Sequence, residues 1–416
     1  MINEEIGVSA NFGRKIRVQV KKNFSAQVKF LSSLVKAKSA NPHTPENSKK
    51  NEPIEAEVAE LIVNKLNAIK VRSRRMGAGS KRKNVVCYWG PSRFRKSLIL
   101  NGHMDTTVPG DNYKGDPFSG SVRGDRLYGV GAYDMKSSLS AFVYVVKALK
   151  DLGVDLDGRL ILQFVVDEET GACSRWGTKY LLAQGVKSKV AIVAEPGTQI
   201  GIGHRGGYRF KLTTEGEAVH TGVSVWQRRE KGRNAIVDMA RTIAALQNLE
   251  IPFKSAKVFP NKKPIITFPT IISGGKSINV VPDKCEAYGD VRLMPGNSDR
   301  QVKIWIKEKL ASMEGLKYEI KDLLFAPAME IDEKEEIVAL LKEEYEKVGK
   351  QQPVVEGIGP WNDAWMFAKK DIPAVTQMPL VGNGAHGDNE WISLRSLRQL
   401  TEVLMRVVVG YLGVRK

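Results

Sequence analysis

The chain has 416 residues, of which 42% are hydrophobic and 26% are charged. This length predicts two domains, and the composition is ordinary for a globular protein. The net charge of +18 is compatible with a nucleic acid partner, an anionic substrate or simple solubility, so it identifies no chemistry. The cysteines, Cys87, Cys173 and Cys285, are too few for a disulfide framework or a thiolate zinc site, and we expect each to be buried. No apolar run has the length of a signal peptide or a membrane span, which favours a cytoplasmic location.

The first half of the chain predicts two helices and then alternating strands and helices. Apolar spacing indicates helices at 24–38 and 54–70, and the basic residues of segment 72–83 predict an exposed loop. That segment has no aromatic residue on which a base could stack, which disfavours nucleic acid binding. Further elements follow in alternation: strands at 85–89, 97–101, 159–166 and 190–194, with helices at 135–150 and 178–184. This alternation predicts an α/β domain with a mainly parallel sheet and helices on both faces, which binds ligands at the carboxyl ends of its strands.

From residue 206 the pattern changes to that of a second domain. Its elements follow the order β-α-β-β-α-β, with strands at 208–214, 265–272, 285–294 and 317–323 and helices at 234–246 and 299–313. This is the order of an α+β ferredoxin-like domain. A helix at 335–347, a strand at 374–378 and a helix at 394–411 then resume the first domain. We therefore predict a first domain at 1–205 and 326–416, interrupted by an inserted domain at 206–325.

Two polar segments lie where the predicted parallel sheet would present ligands. His103 ends the strand LILNGH, and Asp105 points to the same face of an extended segment. A carboxylate there can fix the tautomer of a metal-bound imidazole, although an incidental polar pair is the alternative. Asp134 directly precedes a helix and is either a helix cap or a ligand. Gly129 and Gly131 lie nearby, but the third glycine of a dinucleotide fingerprint is missing, which disfavours a dehydrogenase.

Further carboxylates and a histidine follow at other strand ends. Asp167, Glu168 and Glu169 crowd the end of the strand ILQFVV, and such close like charges destabilise one another unless a cation or proton intervenes. A solvated acidic turn is the alternative. Glu195 ends the strand AIVAEP, and His386 lies in the glycine-rich segment GNGAHGDNEW. The candidate ligands combine imidazole and carboxylate groups without a thiolate, which suits zinc, with cobalt or manganese as substitutes: His103, Asp134, Glu169, Glu195 and His386.

Six segments match the blocks of one enzyme family in order: GHMDTTVPGD, RLYGVGAYDMK, VVDEETGA, IVAEPG, SINVVPDKCEAYGDVRLMPG and AHGDNEW. Over most of its length the chain resembles the superfamily of acetylornithine deacetylase, succinyl-diaminopimelate desuccinylase and carboxypeptidase G2, which are zinc metallohydrolases. The resemblance implies a co-catalytic di-zinc amidohydrolase that cleaves the amide bond of an N-acyl amino acid, in the manner of a deacetylase or desuccinylase. A dipeptidase, an aminopeptidase or a carboxypeptidase of the same superfamily is the alternative within it, with a short peptide as substrate.

The resemblance also implies the ligand set of two zinc ions per chain. Asp134 is expected to bridge the two ions. His103 and Glu195 would complete one site, and Glu169 and His386 would complete the other. A pair of ions about 3.5–4 Å apart can hold a hydroxide at neutral pH and polarise the scissile carbonyl.

The remaining roles implied by the resemblance lie around this centre and in the inserted domain, which is expected to act as a lid and to form a homodimer. Asp105 would orient His103, and Glu168 would be the general base. In the inserted domain, His220 would stabilise the oxyanion in the partner's active site. Asn279 and Arg292 would bind the substrate, and Arg292 would hold its carboxylate.

The chain departs from the family pattern at several positions, which leaves its substrate open. Val130 replaces a usual arginine, Ser137 and Ser138 replace usual glycines, and the segment VSVWQRREKGRNA after the lid histidine is longer and more basic than usual. His43 and His204 receive no ligand role, and His43 is expected to be exposed.

Outside catalysis, the alternative is a nucleic-acid-binding protein on an inactive hydrolase scaffold. Retention of Glu168 disfavours it, because a structural metal site needs no base.

Overall fold

The computed structural model describes residues 8–42, 52–77, 81–169 and 174–415. They form two compact units. The first contains the chain up to His204, then Glu330–Ile358, then the chain from Asn362 onward, and the second contains Arg205–Met329 and Gly359–Trp361. The short return of the chain at 359–361 to the second unit was not predicted. His43 and Cys173 lie outside the described residues. Within the described part of the chain, no helix is long and apolar enough to cross a membrane.

The described residues up to His204 form the first stretch of the first unit. Its helices are α1 (Ala10–Lys36), α2 (Ala56–Ala68), α3 (Lys136–Asp151) and α4 (Thr178–Ala183). Its strands are β1 (Ser73–Met76), β2 (Asn84–Trp89), β3 (Ser97–His103), β4 (Ser121–Arg123), β5 (Arg126–Tyr128), β6 (Arg159–Val165), β7 (Val190–Val193), β8 (Pro196–Gly197) and β9 (Ile200–His204).

The second unit follows with β10 (Gly206–Glu215), α5 (Ser224–Gln227), α6 (Ala235–Gln247), β11 (Ile265–Gly274), β12 (Lys284–Leu293), α7 (Asp299–Ala311) and β13 (Tyr318–Ala326). The chain continues through β14 (Met329–Glu330), α8 (Glu336–Gly349), β15 (Val355–Ile358), α9 (Ala364–Ala368), β16 (Ala374–Val375), β17 (Met378–Pro379), β18 (Gly382–Asn383), β19 (Trp391–Ser393) and α10 (Leu394–Leu412). The strand predicted at 374–378 is therefore two short strands, which belong to different sheets.

The largest described sheet of the first unit has the strand order β1-β2-β6-β3-β7-β16. The sheet is parallel from β6 through β3 and β7 to β16. Strand β2 is antiparallel to both of its neighbours, β1 and β6, and is the only strand of this sheet with that direction. All seven residues of β3 are buried, so both faces of the sheet are covered at its centre. Helices α3 and α10 contact β3, and α9 contacts β7 and β16. The unit thus has a mixed α/β fold whose parallel strands end at one common edge.

Helix α1 begins much earlier than the helix predicted at 24–38. Its buried stripe includes the polar residues Gln19, Asn23 and Gln27, which interrupt the apolar spacing on which that prediction depended. These side chains have partners on other helices: Asn23 donates to Asp151 at 2.7 Å, and Gln27 donates to the buried Thr401 at 2.8 Å. Amide side chains therefore occupy buried positions of α1 at which apolar spacing alone would require apolar residues.

The exposed loop predicted at 72–83 is wrong in two respects. Ser73–Met76 form strand β1, which pairs with β2. Arg82 is only 1% exposed, although Arg74 and Arg75 of the same segment are exposed. The charge of Arg82 is balanced by Glu55 and Asp167, which lie far away in the sequence. The basic segment 72–83 therefore includes one arginine, Arg82, whose side chain is buried.

The second unit contains an antiparallel sheet in the order β11-β12-β10-β13, with α6 and α7 packed together. Its core includes Tyr208 and Phe210, whose rings stack at 5.6 Å, and Phe268, which stacks on Phe210 at 5.5 Å. The side chain of Asn234 caps α6, and Ser298 forms a capping box at the start of α7. Strand β11 lies at one edge of this sheet.

Candidate metal centre

The five candidate ligands come from strand ends and loops of the first unit. His103 is the last residue of β3, and Glu195 and Glu169 follow β7 and β6 at the same edge of the sheet. Asp134 precedes α3, but its side chain does not cap that helix, which begins after Met135 without a side-chain cap. His386 lies in the turn between β18 and β19. Because β19 pairs with β5, the segments after β5 and before β19 lie side by side.

The structure brings these residues together in two groups. His103, Asp134 and Glu195 form the first group: His103 Nε2 lies 3.3 Å from Asp134 Oδ1 and 3.5 Å from Glu195 Oε1. Asp134, Glu169 and His386 form the second: His386 Nε2 lies 3.1 Å from Asp134 Oδ2 and 3.4 Å from Glu169 Oε2. Asp134 belongs to both groups and offers a different oxygen to each.

The donor set fits a pair of divalent cations. Each group contains one imidazole nitrogen and two carboxylates, and neither group contains a thiolate, a combination that suits zinc. His103 is 2% exposed, while the His386 side chain is 58% exposed, so the second group opens toward solvent. The first group is therefore the more enclosed.

Burial and neighbouring negative charge shift the pKa values of the carboxylates in the centre. Burial raises the pKa of Glu195 to about 7 and that of Glu169 to about 8, and the charge of Asp134 adds to both shifts. Burial also opposes ionisation of Asp134, but hydrogen bonds with His103 and His386 outweigh it and hold its pKa below the usual range. The hydrogen bond to Asp134 raises the pKa of His386 to about 9. A divalent cation among these groups would favour the charged form of each carboxylate.

Asp105 contacts the centre differently from the expectation. His103 Nδ1 lies 2.8 Å from the main-chain carbonyl of Asp105, while the Asp105 carboxylate lies 3.8 Å from that nitrogen. The carboxylate instead accepts hydrogen bonds from the backbone N–H groups of Glu168 at 3.3 Å and Glu169 at 3.1 Å, and from the Asn41 side chain at 2.9 Å. Asp105 therefore ties the end of β3 to the acidic turn after β6.

Glu390 is a site residue that the sequence analysis missed, although it lies in the quoted segment AHGDNEW. It is 3% exposed, and its carboxylate accepts hydrogen bonds at 2.8 Å from the backbone N–H groups of Gly131, Tyr133 and Asp134. These bonds hold the loop that carries Asp134. Asp363, also missed, is buried near the centre and accepts a hydrogen bond from Thr178 at 2.5 Å.

Other predicted site residues lie in the second unit. His220 Nδ1 accepts a hydrogen bond from the Gly222 N–H at 3.0 Å, and its Nε2 lies 3.3 Å from the Asn279 side-chain nitrogen. Arg292 donates from Nε to Asp290 at 2.7 Å, and its guanidinium lies 4.4 Å from the centre of the Trp361 ring. His204, which received no role, is buried at the end of β9.

Comparisons with known proteins show which family the chain resembles along most of its length. A model of peptidase family M20/M25/M40 matches residues 99–409. N-formyl-4-amino-5-aminomethyl-2-methylpyrimidine deformylase of Bacillus subtilis is 28% identical over 352 residues, which are 77% of this chain and 80% of that protein. Succinyl-diaminopimelate desuccinylase of Dinoroseobacter shibae is 29% identical over 346 residues, which are 79% of this chain and 87% of that protein.

A solved structure shares the fold. The di-peptidase Dug1p of Saccharomyces cerevisiae superposes with a TM-score of 0.75, over 96% of this chain and 98% of that chain, at 14% sequence identity. At this identity the likeness shows the fold alone.

Proposed function

Because the chain belongs to peptidase family M20/M25/M40, we propose that it is a di-zinc amidohydrolase. Membership makes it a metallohydrolase that acts on amide or peptide bonds. The observation that carries the proposal is the Asp134 carboxylate, which faces His103 with one oxygen and His386 with the other. A shared carboxylate of this kind suits two ions about 3.5–4 Å apart.

When bound, the two ions would supply the Lewis acidity that acidifies a water molecule and polarises the scissile carbonyl. We propose zinc, with cobalt or manganese as substitutes. His103, Asp134 and Glu195 would hold one ion, and Asp134, Glu169 and His386 the other.

Glu168 is proposed to move the proton, from the attacking water to the leaving nitrogen. Two observations support a base over a ligand. Glu168 is not among the residues whose ligand atoms form the two groups. Burial raises its pKa well above the ordinary value, with the nearby charges of His103 and Glu195 acting in opposite directions. A raised pKa makes a carboxylate a stronger proton acceptor than an ordinary glutamate.

We propose that the second unit is a lid that supplies substrate contacts. Because Gly222 donates to Nδ1 of His220, a neutral imidazole carries its proton on Nε2 and can donate it to an oxyanion once the Asn279 amide nitrogen, which is also a donor, turns away from Nε2. Asn279 lies beside this nitrogen. Asp290 and Trp361 hold Arg292 through Nε and the ring face, so its terminal amino groups can bind a carboxylate in a bidentate manner.

The lid is also proposed to form a homodimer in which His220 serves the partner's active site. Strand β11 is an edge of its sheet, and Ile265, Ile271 and Ile272 on it are at least half exposed. An edge strand with exposed apolar side chains is suited to pair with a second copy.

An N-acyl amino acid is the proposed substrate. The names of the two similar proteins specify removal of a formyl and a succinyl group, and a free substrate carboxylate would match Arg292. A dipeptidase or another peptidase of the family is the second candidate, because Dug1p is a di-peptidase with the same fold. A nucleic-acid-binding protein is disfavoured further, since Arg82 of the basic segment is buried. The cytoplasmic location remains a prediction.

The test is a hydrolysis screen on metal-free and metal-loaded protein. N-formyl, N-acetyl and N-succinyl amino acids and dipeptides are incubated after chelation, and again after addition of zinc, cobalt or manganese. We expect turnover of at least one acyl amino acid with metal and none without, because the ligand groups must exchange protons for cations. Glu168→Gln is the control for contaminating hydrolases. Undiminished turnover by verified metal-free protein would contradict the proposal, and turnover of dipeptides alone would favour the second candidate.

A further inference from the structure

Arg82 lies at the centre of a buried cluster of carboxylates. The side chains of Arg82, Asp105 and Asp167 are 0% exposed, and that of Glu55 is 1% exposed. Arg82 Nε donates to the Glu55 carboxylate at 3.0 Å, and Nη2 contacts the same carboxylate. Nη1 donates to Asp167 at 2.5 Å, and Nη2 lies 3.9 Å from Asp105. One guanidinium thus faces three acidic side chains in the interior.

Two of these carboxylates flank the residues proposed as base and ligand. Asp105 accepts hydrogen bonds from the backbone N–H groups of Glu168 and Glu169. Asp167 directly precedes Glu168 and has a φ of 69°, in the left-handed region that aspartate adopts less readily than glycine but more readily than most other residues. The Asp167 N–H donates to Glu55 at 3.2 Å, the carboxylate that also binds Arg82. The acidic turn after β6 is therefore held from both sides by partners of one guanidinium.

The shape of the guanidinium matters in this arrangement. Its planar fork addresses Glu55 with Nε and Nη2 and Asp167 with Nη1 at the same time. A lysine ammonium keeps the charge but cannot present this fork of donors. Charge balance and geometry can therefore be separated by experiment.

We propose that Arg82 is a positioning residue for the metal centre. By binding the carboxylates of Glu55 and Asp167, it fixes the start of the acidic turn and thereby the positions of Glu168 and Glu169. The proposal rests on the proposed function of those two residues. It gives a role to one basic residue of the segment 72–83, which the sequence analysis predicted to be an exposed loop. Arg82 would act through these carboxylates and not directly on substrate or metal.

The experiment compares Arg82→Lys with a matched control on the same segment, Arg75→Lys, whose arginine is exposed and pairs with Glu60. Zinc affinity is measured with the metal alone, by competition with a chromophoric chelator, and kcat and KM are measured on the best substrate. For Arg82→Lys we expect weaker zinc binding and a lower kcat, each by roughly tenfold to a hundredfold, with KM changed less than about twofold. Arg75→Lys should match the wild type in all three quantities.

A second variant covers the case in which Arg82→Lys does not fold. Asp167→Asn keeps the arginine and removes only one of its carboxylate charges, so it should show the same loss of zinc affinity and kcat without a change in KM. Circular dichroism and thermal unfolding identify which variants are folded. A folded Arg82→Lys with wild-type zinc affinity and kcat overturns the proposal. If Arg82→Lys is unfolded, wild-type behaviour of Asp167→Asn overturns it.

The two proposals fail separately. If the wild-type chain hydrolyses no amide with metal present, the proposed function is wrong, and the zinc affinities of the variants still decide the role of Arg82. If the wild type is active and the zinc affinity and kcat of Arg82→Lys match it, only the positioning role is wrong.

Discussion

Removal of one charge from Glu390 should loosen the loop that carries Asp134. In Glu390→Gln, the amide oxygen can still accept the hydrogen bonds from Tyr133 and Asp134, but the amide nitrogen then faces the N–H of Gly131. The buried N–H of Gly131 loses its acceptor. The hydrogen bonds from Tyr133 and Asp134 remain, but their acceptor is no longer charged. Each such change costs about 1–3 kcal/mol. If the metal-binding conformation of the loop is destabilised by about 2 kcal/mol, the affinity for zinc drops about thirtyfold.

The assay for Glu390→Gln is chelator competition for zinc, together with the midpoint of thermal unfolding. Glu336→Gln is the control, because Glu336 lies on the surface in an exposed pair with Lys96. Glu390→Gln should lose zinc affinity and unfold at a lower temperature, while the control should match the wild type. Wild-type zinc affinity in a folded Glu390→Gln would show that this carboxylate does not hold the Asp134 loop.

Three further predictions concern the base, the lid and the surface. Glu168→Gln should lower turnover by roughly a hundredfold or more at constant zinc content, whereas Glu169→Gln should lose zinc; elemental analysis with the opposite outcome would reverse the two assignments. A mixture of His220→Ala and Glu168→Gln chains should regain activity after subunit exchange, since one mixed site has both residues intact; proven exchange without activity, or an active monomer, would refute a role in trans. Neutralising Arg74 and Arg75 should weaken polyanion binding and its salt dependence without changing turnover, and a large loss of turnover at constant zinc content would count against their peripheral position.

The sequence predicted the five candidate ligands because their positions follow from local patterns. Buried parallel strands appear as continuous apolar runs, and the polar residues directly after them reach a common edge of the sheet. His103, Glu169 and Glu195 follow such runs, so their proximity could be expected before the structure was known. Asp134 and His386 were candidates from a segment before a helix and from a glycine-rich segment, and the family resemblance implied how the five ligands divide between two ions.

The supporting residues could not be predicted, because their partners are distant in the sequence. Arg82 pairs with Asp167 across 85 residues, and Glu390 binds the backbone of Asp134 across 256 residues. Basic and acidic residues are usually exposed, so composition alone placed Arg82 on the surface. The early part of α1 was missed for a related reason: a buried amide such as Gln27 looks polar in the sequence and is satisfied only by tertiary contacts.

The most direct test of the central claim is anomalous scattering from crystals of the zinc-loaded protein. The account predicts two zinc peaks about 3.5–4 Å apart on either side of the Asp134 carboxylate. One should lie beside His103 and Glu195, and the other beside Glu169 and His386. A single peak, or peaks that do not share Asp134, would contradict the two-metal centre.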